Sequence, residues 1–246
     1  MAARRSNMRL YAYCLVEDVD TLDVSVRGIA DAPLSMLKID EFGIVVSEGE
    51  SFPLTQRESA MAHAAVVRSL VDQTTLLPFR FGTVLTEEQL RHYVTTYKPA
   101  LKKNLAHVRG CVEMDLKIIW QQAKSDADQP PDNEKQGPGT AFLEKKRLEL
   151  LGDERQSAQK TELSNLLREH LGGLIRDEQI ELYPSKTAVL AAVFHLVEKT
   201  NVERYKRIVQ EIRNNRPVLS IRLSGPWPPY SFANIGLEFK TQFGVS

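Results

Sequence analysis

Val112-Glu113-Met114-Asp115-Leu116-Lys117-Ile118-Ile119-Trp120 is the stretch on which the fold turns. Its apolar residues at 112, 114, 116, 118 and 120 recur with a period of two. Side chains two apart share one face of an extended chain, so a half-buried β-strand is expected. Beyond it, Lys124–Gly139 is dominated by Ser, Asp, Gln, Pro, Asn and Gly and is expected to be a flexible loop. A long helix is expected from about Thr140 to His170. Its stripe is Leu163, Leu166, Leu167, His170, Leu171 and Leu174, and Gly172-Gly173 ends it. Ile180 and Leu182 alternate as a short strand. Thr187–Val197 is apolar nearly throughout, as a central strand covered on both faces would be. Thr200 and Glu203 have capping-box spacing, and the helix after them turns Val202, Tyr205, Ile208, Val209 and Ile212 inward. Val218–Leu223 closes the series as a strand. The order from about 110 to 225 is βαββαβ, the ferredoxin-like plan. Right-handed crossovers would set both helices on one face of a four-stranded antiparallel sheet.

Working back toward the N-terminus, the same logic holds more loosely. Leu10–Glu17 is apolar and aromatic, so a strand is expected; Asp18–Pro33 reads as a short helix and loop. Leu34–Asp40 and Phe42–Ser47 form a hairpin, its turn at Glu41 or at Gly43. Thr55-Gln56-Arg57-Glu58 is a capping box, and His63, Val66, Val67, Leu70 and Val71 make the buried stripe of the helix it opens. Leu76–Val84 reads as one strand, with Phe79 and Phe81 on the core face and Arg80 opposite. Thr86-Glu87-Glu88-Gln89 opens a further helix, which Pro99 should break or kink. The fold expected is therefore α+β in two domains. Residues 1–108 form a modified ferredoxin-like domain and 109–225 a ferredoxin-like domain with its loop at about 124–139. Residues 226–246 form an extended, proline- and aromatic-rich tail. The rival is one mixed sheet shared by both halves.

At 246 residues the chain has the length of two ordinary domains, and 42% apolar with 26% charged residues is a globular composition. Thirty-two basic residues balance thirty-two acidic ones, which leaves no net attraction to nucleic acid or to an anionic membrane. No window reaches the ~20 apolar residues that span a bilayer, and the N-terminus lacks a signal-type apolar run. A cytoplasmic setting is expected. Cys14 and Cys111 sit alone in apolar runs and read as buried free thiols.

Motifs for chemistry are absent or weak. There is no GxGxxG and no GxxxxGK[ST]. His63, His92, His107, His170 and His195 include no pair three or four apart, so no helix presents a metal pair. His63, His170 and His195 read as core or edge histidines. No serine or cysteine has a nucleophile-elbow context. Phe79 and Phe81 could be taken for a base-stacking platform, although neutral charge and a shared core face argue against it. The run Glu144–Arg147 reads as a solvated helix face. No catalytic residue, no cofactor and no metal site is expected. Two alternatives stay open: a small hydrolase or transferase in which His63 or His195 meets a carboxylate or nucleophile, and an RNA-binding module.

The least ordinary stretch is Gly225-Pro226-Trp227-Pro228-Pro229-Tyr230-Ser231-Phe232. Three prolines in four positions exclude helix and disfavour a central strand, leaving a stiff arm that carries Trp227, Tyr230 and Phe232. Such an arm suits docking, either on its own chain or on a partner.

Four stretches together carry a resemblance: Leu10-Tyr11-Ala12-Tyr13, His63-Ala64-Ala65-Val66, Leu77-Pro78-Phe79-Arg80-Phe81-Gly82-Thr83-Val84, and the C-terminal Gly225–Phe232 motif. In these the chain resembles the gas vesicle F/L proteins over about residues 9 to 233, with the F type as the expectation. The resemblance implies an accessory protein of gas vesicles, located at the vesicle and cytoplasmic. It assists assembly by binding the hydrophobic shell protein GvpA and other gas vesicle accessory proteins, with neither nucleic acid nor membrane as partner. It transfers no catalytic residue. The candidates for structure or interaction are His63, Pro78, Phe79, Arg80, Phe81 and Gly82 in the first half, and Gly225, Pro226, Trp227, Pro228, Pro229, Tyr230 and Phe232 near the C-terminus. The N-terminal domain, which holds the Pro78–Thr83 motif, is the expected partner-binding part.

Overall fold

The computed structural model describes residues 8–17, 26–121, 156–184, 188–216 and 219–233. The expected linker at Lys124–Gly139, the long helix before residue 156, residues 18–25 and the tail beyond Ala233 lie outside them. The chain divides into two compact units, Met1–Glu113 with Trp227–Ser246, and Met114–Pro226.

In the first unit, β1 (Arg9–Glu17), β2 (Ser35–Ile39), β3 (Phe42–Gly49) and β4 (Leu76–Pro78) form a sheet in the order β2-β3-β1-β4, and β5 (Val84–Leu85) also pairs with β1. Leu10 to Val16 is buried without a break. A strand buried on both faces needs no alternation, which is why its sequence reads as a continuous apolar run. The β2–β3 hairpin turns at Asp40–Glu41, with Asp40 at φ +52°, a left-handed conformation that Asp tolerates. Gly43 lies inside β3.

Helix α1 (Arg57–Leu70) buries His63, Val66, Val67 and Leu70 as its stripe requires. Its capping box does not form. The helix starts at Arg57 with Gln56 as N-cap and no side-chain cap bond, so Thr55 sits one residue too early. A turn at Pro53 holds the start instead: its carbonyl accepts from Ser59 Oγ at 2.7 Å and from Gln56 N at 3.4 Å. The box at α2 (Glu87–Val108) does form, with Gln89 N donating to Thr86 Oγ1 at 3.1 Å and Thr86 N donating to Gln89 Oε1 at 2.9 Å. Pro99 neither ends nor splits α2. Its ring is on the exposed side, so the carbonyl it leaves unpaired faces water, while Tyr93, Val94, Leu101 and Leu105 are buried on either side of it in sequence.

The second unit holds β6 (Cys111–Gln121), α3 (residues 156–171), β7 (Ile175–Pro184), β8 (Ala188–Glu198), α4 (Val202–Asn215) and β9 (Leu219–Trp227), with sheet order β7-β8-β6-β9. β7 and β8 form an antiparallel hairpin. Strand numbering within each unit gives both sheets the order fourth, first, third, second, so the chain is α+β with one arrangement used twice. Four local expectations need correction. β8 buries Ala191, Val193, His195 and Val197, but Leu190 is exposed and Ala192 and Phe194 half-buried, so its second face is only partly covered. α4 follows a short 3-10 turn, Lys199–Asn201, with Asn201 as N-cap and no side-chain cap bond, so the Thr200–Glu203 box is not made. His170 points outward from its stripe. The proline arm is not an arm. β9 runs on through Gly225, Pro226 and Trp227, which an edge strand allows because it has an unpaired side. Residues 228–233 then turn, with Tyr230 N donating to Pro228 O at 2.8 Å and Ala233 N to Pro229 O at 2.9 Å. No helix among the described residues is long and apolar enough to cross a membrane.

Candidate interaction site

The site grows from an irregularity in β1. Ala12 pairs with Val46 and Cys14 with Val45, so Tyr13 is an extra residue opposite β3. A regular strand would alternate its faces. The bulge resets that alternation, and Tyr11, Tyr13, Cys14 and Val16 all join one cluster with Val66, Val67 and Leu70 of α1. Tyr11 and Tyr13 lie with ring centroids 4.8 Å apart.

Each buried hydroxyl then has an assigned partner. Tyr13 Oη accepts from Ile29 N at 2.8 Å and lies 3.1 Å from Ser47 Oγ. Ser47 Oγ donates to Pro33 O at 3.1 Å, so the proton between the two hydroxyls comes from Tyr13. Gly28 approaches this pair closely: a Cβ there would stand 2.4 Å from both oxygens. Tyr11 Oη accepts from Gly82 N at 3.0 Å and donates to His63 Nδ1 at 2.9 Å. Burial raises both phenols above their ordinary range; for Tyr11 the Gly82 N–H offsets part of that rise, as Ser47 and Ile29 do for Tyr13.

Phe79–Thr83 is a loop between the short strands β4, which ends at Pro78, and β5, rather than part of one strand. Phe79 N bonds to Tyr13 O at 2.9 Å and Ala12 N to Thr83 O at 3.0 Å, so β1 holds both ends. Between them Thr83 Oγ1 bonds to Arg80 O at 2.7 Å, and Gly82 takes φ +89°, which costs a Cβ-bearing residue free energy. This separates the two phenylalanines expected on one core face. Phe79 is buried, its ring 6.4 Å from that of Tyr93, whereas Phe81 is 39% exposed and reaches Tyr11 and His63 at 6.4 and 5.9 Å.

His63 stands at the centre of this aromatic cluster, 3% exposed. The Tyr13 ring stacks on it at 5.6 Å, and the rings of Tyr11 and Tyr230 lie at 5.7 and 6.4 Å. Burial pulls its pKa down to about 4, with the Phe79 backbone offsetting part of the fall. The imidazole is therefore neutral at pH 7. Because Nδ1 takes the Tyr11 proton, Nε2 carries the hydrogen. Nε2 is buried and makes no hydrogen bond of ordinary geometry, the Phe79 backbone being the acceptor beside the ring.

From Trp227 on, the C-terminal motif is part of the first unit. Pro228, Pro229 and Phe232 are buried. Glu113, read as the polar side of an alternating strand, is 4% exposed. Its carboxylate accepts from Ser231 N at 2.7 Å and from Ser231 Oγ at 2.9 Å. Trp227 and Tyr230 stay 36% and 38% exposed, and the Arg68 guanidinium lies 5.3 Å over the Trp227 ring. Burial raises the Tyr230 phenol, with Cys14 and Glu113 adding to the rise. Thus His63, Phe81, Tyr230 and Trp227 gather around α1, with Arg80 on the loop beside Phe81. Pro78, Phe79, Gly82, Pro228, Pro229 and Phe232 shape the backbone under them, while Gly225 and Pro226 lie within β9, which ends at Trp227. Residue-type reasoning missed Tyr11, Tyr13, Arg68, Glu113 and Ser231. The doubled tyrosine of Tyr11-Ala12-Tyr13 was the available signal for the first two, since two tyrosines in an apolar strand need hydroxyl partners.

His195 meets the carboxylate that a catalytic reading requires. Its Nε2 lies 2.9 Å from Glu178 Oε2 and its Nδ1 2.7 Å from Tyr205 Oη. Ser164 Oγ and Arg168 Nε donate to Glu178 Oε1 at 2.6 and 3.0 Å. Burial alone would raise the Glu178 pKa, but the bonds from His195, Ser164 and Arg168 outweigh it and hold the carboxyl down to about 2. The hydroxyl is thus bonded to the carboxylate and not to the imidazole, so no serine–histidine dyad exists here. His195 is fully buried with both nitrogens engaged. The cluster ties α3, β7, β8 and α4 together, and nothing in it is placed to act on a substrate. No group of three or more potential metal ligands occurs among the described residues.

The family model described as Gas vesicle synthesis protein GvpL/GvpF matches residues 9–234. Gas vesicle protein L1 of Halobacterium salinarum is 25% identical over 256 residues, an alignment covering 91% of this chain and 89% of that protein. The crystal structures of GvpF from Anabaena sp. PCC7120 and from Microcystis aeruginosa superpose with TM-scores of 0.68 and 0.70 at 22% and 21% identity. Each covers 92% of this chain, and 96% and 98% of the respective relative. At that identity the likeness is one of fold.

Proposed function

Since the chain belongs to the gas vesicle synthesis protein GvpL/GvpF family, we propose that it assists gas vesicle assembly by binding other gas vesicle proteins and runs no reaction. It acts at the vesicle, and the hydrophobic shell protein GvpA is its first partner. The observation that carries this reading is where the motif residues meet: on a partly exposed aromatic group around His63, and not on a nucleophile and its base. A shell subunit that faces gas must carry a large apolar face, which is an aggregation hazard before assembly. Exposed, rigid aromatic side chains suit transient cover of such a face. In this reading Phe81, Trp227 and Tyr230 are contact residues, Arg80 lies beside them, and Pro78, Phe79, Gly82, Pro228, Pro229 and Phe232 hold them in place. The ferredoxin-like plan, modified in the first unit, is our assignment for both sheets, supported by their shared strand order.

Retention of the shell protein on the immobilised full chain tests the proposal. The double substitution Phe81→Ala with Tyr230→Ala should reduce retention at least tenfold while thermal unfolding remains cooperative. Full retention by the folded double variant would reject the aromatic group as the contact, and no retention by the wild-type chain would reject the partner.

A further inference from the structure

Three features of the first unit point to one kind of occupant. First, Phe81, Tyr230 and Trp227 are each exposed by more than a third and are joined through His63 and Arg68 of α1. Aromatic residues and arginine are the residue types that anchor protein interfaces. Second, Arg68 lies over the Trp227 ring and the exposed Arg80 precedes Phe81 on the loop, and neither has a carboxylate partner among the described residues. Three of the unit's five other described arginines are ion-paired: Arg27 with Asp31, Arg91 with Glu87 and Arg109 with Glu17. Third, the buried Nε2 of His63 carries a hydrogen whose bond to the Phe79 backbone falls outside ordinary hydrogen-bond geometry. A buried donor so poorly bonded costs free energy, and an oxygen brought by a ligand would recover part of it.

We propose that this patch docks an apolar segment of a partner protein that carries carboxylates, with its apolar side chains on Phe81, Tyr230 and Trp227 and its acidic side chains on Arg68 and Arg80. An oxygen of the same segment, reaching past the Phe81 ring, accepts from His63 Nε2. The cations set orientation and partner choice, and the aromatic rings supply the contact area. This inference rests on the proposed function for its setting, but it specifies chemistry that the proposed function leaves open: a cationic apolar segment should be refused and a neutral one bound more weakly. Charge complementarity selects a partner segment over a second copy of this chain, whose matching patch would oppose arginine to arginine.

The test uses the full chain with Trp120→Phe, so that Trp227 alone reports by fluorescence. The probes are an amphipathic leucine–glutamate peptide and its leucine–glutamine and leucine–lysine counterparts. The glutamate peptide should quench or shift Trp227 and bind about tenfold more tightly than the glutamine peptide, the lysine peptide showing no saturable signal. Its affinity should fall with added salt, and Arg68→Gln or Arg80→Gln should each weaken it by about threefold, as rim charges do. His63→Phe should weaken the glutamate and glutamine peptides by the same factor, because it removes a donor and not a charge. Equal binding of glutamate and lysine peptides, or affinity unmoved by both arginine substitutions in folded protein, would overturn the proposal. So would self-association that Trp227→Ala abolishes, since it would give the patch to a second copy. Retention of the shell protein without peptide discrimination would sink this inference and leave the proposed function standing. Peptide discrimination without shell-protein retention would do the reverse.

Discussion

Acid should weaken the first unit through one residue, His63. Its pKa falls from 6.5 to about 4 in the folded chain, a depression caused first by burial among aromatic rings. Below pH 6.5 the unfolded chain binds a proton on this side chain that the folded chain refuses until about pH 4. The unfolded state therefore holds more protons across that window, and stability falls as pH falls through it. The depression of about 2.5 units, at about 1.4 kcal/mol each, gives a loss of about 3 kcal/mol between pH 6.5 and 4. At a urea slope of about 2 kcal/mol per molar, the unfolding midpoint should move down by about 1.5 M. Urea unfolding at half-unit steps from pH 7 to 4, followed by Trp227 fluorescence in a Trp120→Phe background, measures this. The control is His63→Phe. It strands the Tyr11 hydroxyl and shifts stability by a constant, but its pH slope over the window should be flat apart from contributions shared with the parent. If parent and variant lose stability in parallel from pH 6.5 to 4, the buried, neutral histidine is refuted.

Three further substitutions probe other parts of the argument. Trp227→Ala should cost about 1–2 kcal/mol in thermal or urea unfolding, well below the ~3 kcal/mol of a fully buried ring, because a third of it is exposed and the Arg68 contact is worth about 0.5–1 kcal/mol. Gly28→Ala should destabilise by about 2 kcal/mol or more, seen as a lowered melting temperature, because its Cβ would collide with Tyr13 Oη and Ser47 Oγ at 2.4 Å. Glu178→Gln should cost about 1–3 kcal/mol at pH 7, because it weakens the bonds from His195, Ser164 and Arg168, and remove the acid loss between about pH 4.5 and 2. A carboxylate whose folded pKa is lowered stabilises above its unfolded value and loses that contribution as pH falls toward the folded one.

The element list was legible wherever a residue's neighbours in sequence are also its neighbours in space. The Val112–Trp120 alternation, the α1 stripe and the βαββαβ order depend only on local period, and each element appears. The capping boxes show the boundary of that rule. Thr55–Glu58 and Thr86–Gln89 carry equivalent signatures, yet only the second forms, because the Pro53 turn moves the start of α1 by one residue. The Phe79–Thr83 loop read as part of a strand because Phe79, Phe81 and Thr83 are β-prone, and the contrary signals were Pro78 before it and Gly82 within it. The site was legible only by halves. His63, Phe81, Trp227 and Tyr230 came from motif and residue type. Glu113 read as a solvent-facing residue, since its partner Ser231 lies more than a hundred residues away and no period can reveal such a pair.

The two buried histidines separate structure from interaction on physical grounds. His195 and His63 both sit on apolar elements, and both bond to a tyrosine hydroxyl through Nδ1. Around His195 the bonding is complete: a carboxylate takes Nε2, and a serine and an arginine share that carboxylate. Such a closed network fixes a core and has no further bond to offer. Around His63 the bonding stops at Nε2, within an aromatic cluster whose outer rings are exposed and whose flanking arginines have no counter-charge among the described residues. For stability alone, an apolar ring at this position would avoid a stranded donor. The cost is understandable if the bond is completed from outside the chain. On the proposed function, that bond belongs to the unit that holds the bulge, the Phe79–Thr83 loop and the C-terminal turn, while the closed network fixes the core of the second unit.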